Sequence, residues 1–140
     1  MNPFSSLRKY ERFIYTLQQL FPSVVSSTLI IIRRGRLFAE LSGELMFVNE
    51  YRMGIYERLK WDAGPIVIEG YSYETWRGGE KLYWYDSQPH PRDPALASSH
   101  PHHKHITPDI KHHRIPAPDL SFVAPNLPFL IHEIESLISR

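Results

Sequence analysis

The sequence contains no cysteine. That absence removes disulfides, thiolate metal sites and cysteine nucleophiles together, leaving histidine, carboxylate, tyrosine, serine and basic side chains to carry any chemistry. A long apolar stretch is also missing. The longest aliphatic run, Leu29 to Ile32, is far short of the ~20 residues that a membrane-spanning helix needs. The N-terminal MNPFSSLRKYERF is charged by residue 8 and has no apolar core of signal-peptide length, so the expectation is a cytoplasmic protein that does not engage a membrane. Nor is there an excess of charge of one sign. The 16 Lys and Arg stand against 15 Asp and Glu, a net charge of +1 with histidine neutral. No global field therefore favours nucleic acid, and any electropositive patch has to be local. No internal repeat is present.

The 140 residues, 42% of them hydrophobic, are enough to bury one core and too few to divide into two, so residues 1–140 read as a single domain. Within SSLRKYERFIYTLQQL (5–20), Leu7, Tyr10, Ile14 and Leu17 recur at three- and four-residue spacing, with Ser5 or Ser6 as N-cap. This pattern predicts an amphipathic helix ending near Phe21-Pro22. VVSSTLIIIRR and RLFAEL, joined at Arg34-Gly35, read as a first hairpin. GELMFVNEYRMGIYERLKW alternates as one long strand with one buried face, a helix over 48–59 being the competing reading. PIVIEGYSYETW and KLYWYD form a second hairpin around Gly78-Gly79. Beyond Asp86 lie 9 of the 12 prolines, and Ser87 to Leu127 reads as one long loop without regular structure. PFLIHEIESLISR closes the chain as a helix. The expected architecture is α+β: an antiparallel meander of about five strands, an N-terminal and a C-terminal helix, and a long Pro/His-rich loop.

The chemistry concentrates in YDSQPHPRDPALASSHPHHKHI, which holds five of the eight histidines: His90, His100, His102, His103 and His105. Residues two apart in an extended segment share a side, so His100, His102 and His105 are expected to converge, with His103 and Lys104 turned elsewhere. Three readings compete. In the first, one neutral imidazole takes a proton from a hydroxyl nucleophile, a protonated one returns a proton to the leaving oxygen of a phosphodiester, and Lys104 steadies the charge on the phosphoryl group. His90, His102, His103 and His105 supply the imidazoles, and Asp86 orients one of them. In the second, imidazoles with Asp86 or Asp93 bind a divalent metal, although the HxHHxH spacing is diagnostic of no metal site and the first reading needs none. The third is structural, with the histidines capping and packing. Tyr71 and Tyr73 are candidate substrate contacts, their hydroxyls within reach of the histidine stretch, and Arg33, Arg34 and Arg36 form a basic cluster suited to phosphate. Core packing and a solvated hairpin tip are the plainer accounts of these.

Taken together, YSYETW, the glycine turn, KLYWYDSQPHP and HPHHKH resemble the TumE family of small prokaryotic toxins, over roughly 29–105 plus the C-terminal helix. The resemblance implies the toxin half of a toxin–antitoxin pair with RNA-cleaving activity. It implies as partners an RNA substrate and a cognate helix-turn-helix antitoxin, and leaves a homodimer open as the active unit. It carries over to Tyr71, Tyr73, Asp86, His90, His102, His103, Lys104 and His105. The proline-rich stretch after Lys111 has no counterpart in that pattern and leaves His112, His113 and Arg114 without a role. A non-catalytic metal- or partner-binding module is the alternative.

Overall fold

The computed structural model describes residues 2–87, 102–110 and 113–140. A short 3-10 helix at Pro3–Ser5 leads into α1, Leu7–Tyr15. The Ser6 side chain caps α1 by accepting from the Lys9 N–H, and Leu7, Tyr10 and Ile14 are its buried stripe. The helix expected to run from 5 to 20 is interrupted at Thr16. Its backbone leaves the helical region (φ −114°, ψ 12°) and its hydroxyl donates to the Arg12 carbonyl at 2.7 Å. This is the local competition that makes threonine a poor interior residue. The second piece is α2, Leu17–Leu20, and it ends at Phe21. α3, Leu127–Ile138, begins with Pro128 in its first turn and buries Leu127, Leu130, Ile131 and Ile134. Each of those side chains contributes roughly 1.5–3 kcal/mol by leaving water.

Among the described residues the sheet has eight strands, all antiparallel, rather than about five. β1 (Ser26–Ser27) and β2 (Ile30–Arg33) lie end to end along the outer edge of β3 (Phe38–Met46). They are separated where Gly43 of β3, at φ 137°, lets Thr28 approach. A Cβ on Gly43 would sit 2.7 Å from the Thr28 carbonyl oxygen. The order then runs β3, β4 (Tyr51–Lys60), β5 (Val67–Arg77), β6 (Glu80–Asp86), β7 (His103–Ile106) and β8 (Arg114–Pro116).

Two expectations are corrected here. The segment from Gly43 to Trp61 is neither one strand nor a helix. It turns back at Val48–Tyr51, where Asn49 and Glu50 adopt φ 61° and 68° and the Tyr51 N–H donates to the Val48 carbonyl. This is the twisted two-residue turn that suits hairpins. The stretch expected to be an unbroken loop from 87 to 127 supplies β7 and β8. Their backbone groups find partners on the edge of β6, a non-local pairing that outweighs a composition without strand character.

Register divides the sheet into two faces. Gly43, Ile55, Tyr73, Tyr85 and Lys104 are successive cross-strand partners on the face that carries the core. Ser42, Tyr56, Ser72, Asp86 and His103 line up on the opposite face, and next to them Glu44, Gly54, Glu74, Trp84, His105 and Arg114. Tyr71, Tyr73, Tyr83 and Tyr85 do share one side, the core side.

Candidate functional site

Asp86 is the last residue of β6, and its cross-strand partner is His103 at the start of β7; Trp84 is opposite His105. Because 84 and 86 share one face of β6 and 103 and 105 share one face of β7, pairing brings these four side chains together. Asp86 reaches His103 Nε2 through Oδ1 and His105 Nε2 through Oδ2, the latter at 3.0 Å. Trp84 stacks on the His105 ring, with centroids 4.0 Å apart, and donates its indole N–H to Asp86 Oδ2 at 3.0 Å. His105 Nδ1 is 3.1 Å from the Ile110 carbonyl oxygen. Asp86, His103 and His105 are all buried, with 6%, 1% and 2% of their surface exposed. Burial alone would raise the Asp86 carboxyl, but the hydrogen bonds of the two imidazoles outweigh it and hold its pKa well below the usual carboxylate range. A groove of about 480 Å³ on the same face borders Asp86 and is lined by Tyr56, Arg58, Ser72, Glu74 and Trp84 among others.

Of the other candidates, Tyr71 also lines this groove, and the rest are placed elsewhere. His102 and Lys104 alternate with His103 and His105 and so lie on the core face. The expected grouping of His102 with His105 is therefore replaced by the pair His103 and His105, because three residues along a strand change sides. Tyr71 Oη is 2.7 Å from His102 Nδ1, and the two rings stack. Burial, and then the negative charge of Asp86, push the Tyr71 hydroxyl far above an ordinary tyrosine. Lys104 Nζ pairs with Glu133 of α3 at 3.0 Å and lies over the Tyr83 ring, away from the two imidazoles that flank it in sequence. Tyr73 is fully enclosed in the core. Arg33 and Arg34 are ion-paired with Glu11 and Glu40, and with the exposed Arg36 they sit at the β2–β3 turn, separated from β6 by β4 and β5. His90, His100, Asp93 and His112 lie outside the described residues.

Several polar residues had escaped the sequence reading. Trp84 stands in the KLYWYD strand, and nothing in the sequence signals its bond to Asp86. Arg58 of the groove is one of many surface charges in β4 until the register is known. Arg114 pairs with His105 across β7 and β8 and so shares its face. Glu57 carries a legible signal, since it occupies an apolar position of the β4 alternation between Ile55 and Leu59. It is fully buried and accepts from Tyr10 Oη at 2.5 Å and Tyr73 Oη at 2.6 Å, while Asn126 Nδ2 donates to Tyr73 Oη at 3.0 Å. Burial raises the Glu57 pKa to about 7 against the opposing effect of those two hydroxyls.

A protein-family model described as Toxin TumE matches residues 12–138. No curated protein and no solved structure matches the chain.

Proposed function

This chain belongs to the TumE toxin family, which makes it a toxin with a cognate antitoxin, and on that premise we propose that it acts by cleaving RNA at Asp86, His103 and His105. One observation carries the reading: a carboxylate from one strand and two imidazoles from the next meet on a single face, beside a groove, at motif positions of the family resemblance. Phosphodiester cleavage calls for groups that manage protons at the attacking and leaving oxygens and for positive charge near the phosphoryl oxygens. The cluster holds the first kind. Lys104, turned to Glu133 on the other face, does not stand beside it. Among the described residues, cations on the cluster's own face include Arg58, in the groove, Arg114, opposite His105, and Lys81, which lies over the Trp84 ring at 4.5 Å.

Substrate contacts shift in the same way. Tyr73 is buried beneath the sheet, whereas Tyr56 and Trp84 line the groove, where an aromatic ring can meet an unpaired base. We take the antitoxin to be a helix-turn-helix protein that silences the toxin in its cytoplasmic setting.

The test is cleavage of RNA by the purified full chain. Asp86→Asn, His103→Ala and His105→Ala are each expected to lower the rate by about 100-fold or more. Glu133→Gln, altered on the core face, is expected to leave it near wild type. No cleavage by the wild-type chain, or cleavage untouched by all three substitutions, removes the ribonuclease reading.

A further inference from the structure

The hydrogen-bond pattern around His105 limits what can sit between it and Asp86. Its Nδ1 faces the Ile110 carbonyl oxygen, an acceptor only, so the ring proton of a neutral His105 resides on Nδ1. The Nε2 lone pair then points at Asp86 Oδ2, 3.0 Å away. A lone pair does not face a carboxylate oxygen unaided; either a second proton or a metal ion has to lie between them.

Three features favour the metal. First, one ligand atom each from Asp86, His103 and His105 all lie within 4.8 Å of one another, converging from two strands. Bond lengths of about 2.0–2.2 Å place tetrahedral ligand pairs about 3.3 Å apart, so modest side-chain adjustment admits an ion. Second, the surrounding contacts are those that orient metal ligands. A ligating histidine gives its other N–H to a carbonyl, here Ile110, and a ligating carboxylate accepts a further hydrogen bond, here the Trp84 indole N–H. Third, Lys104 is turned away, so an ion would bring positive charge to the cluster itself.

We infer that Asp86, His103 and His105 form a binding site for one divalent first-row transition ion, with zinc the best match to two imidazoles and one carboxylate in a chain without thiols. Among the described residues three protein ligands converge, and the groove that borders Asp86 gives water or a substrate oxygen a route to the ion. The inference rests on the ribonuclease reading only in taking the same three residues as the functional centre.

The experiment uses the full chain, stripped with chelator and dialysed. Zinc is titrated by calorimetry, and cobalt is followed by its visible ligand-field bands. One ion per chain is expected, lost in His105→Ala and Asp86→Asn and retained in His132→Ala, which alters an exposed helix residue. Trp84→Phe keeps a ring over His105 but removes the N–H, and is expected to weaken binding roughly 10- to 100-fold in a chain that still folds. Zinc uptake equal in wild type, His105→Ala and Asp86→Asn would place the ion on other histidines and overturn the site, as would no uptake at micromolar zinc. RNA cleavage that persists in chelator while no ion binds overturns the metal site and leaves the ribonuclease standing. Stoichiometric binding without RNA cleavage does the reverse.

Discussion

Glu57 occupies a position that alternation along β4 reserves for an apolar side chain, following Tyr51, Met53 and Ile55 and preceding Leu59, and it is fully buried. Its carboxyl, raised to about 7 by burial, holds a proton in the folded state at pH values where an unfolded glutamate, near 4.5, has lost it. Stability should therefore fall as pH rises between these two values and level off above about 7. A shift of this size corresponds to roughly 3 kcal/mol across the window. Urea unfolding of wild type and Glu57→Gln at about pH 5 and about pH 8 measures it, and the wild type is expected to lose more stability than the variant. An identical loss in both would clear Glu57 of the effect. At this scale the sequence was informative about identity and weak on direction. Asp86 and the 103–105 imidazoles were legible as a chemical cluster, but which histidines share a side depends on where β7 begins. That boundary is set by pairing with β6 and by nothing within HPHHKH itself.

Among the elements, the β3–β4 turn carries a local cost. Asn49 and Glu50 both hold positive φ, and left-handed backbone disfavours side chains by roughly 1–2 kcal/mol per residue. Glu50→Gly, which produces the Asn-Gly pair most at ease in such a turn, is expected to stabilise the protein by about 0.5–1 kcal/mol. Thermal or urea unfolding reads this directly, and a drop in stability would show that the Glu50 side chain outweighs its backbone strain. The same turn explains why residues 43–61 read as one strand. The alternation continues on both sides, and the reversal falls on residues other than glycine. The second hairpin was legible because Gly78, at φ 58°, announces it. β7 and β8 were not, since four and three residues among prolines have no pattern of their own and exist by joining an edge already formed.

For the whole molecule, the sheet separates two tasks. Both the α1 stripe and the Glu57 network belong to the core side, where Lys104 also meets Glu133, while Asp86, His103 and His105 occupy the other side. No helix among the described residues is long and apolar enough to cross a membrane. Tyr10→Phe, which removes one hydroxyl from Glu57, is expected to lower stability by about 1–2 kcal/mol, with little effect on zinc binding. Unfolding and calorimetry on one preparation check this, and a parallel loss of both would mean that the two sides are coupled. The α+β class and the helices at either end could be anticipated from periodicity. The size of the sheet could not, because its last two rows depend on the rest being in place.

Asp86 and His103 are neighbours across a ladder and seventeen residues apart along the chain. The spacing that matters to the centre is therefore counted in rungs and not in sequence. Relatives whose intervening stretch is longer or shorter can keep the identical trio, provided that the two strands still zip in step. A slip of one rung would instead exchange the histidines for His102 and Lys104, leaving one imidazole and a cation where two imidazoles had been.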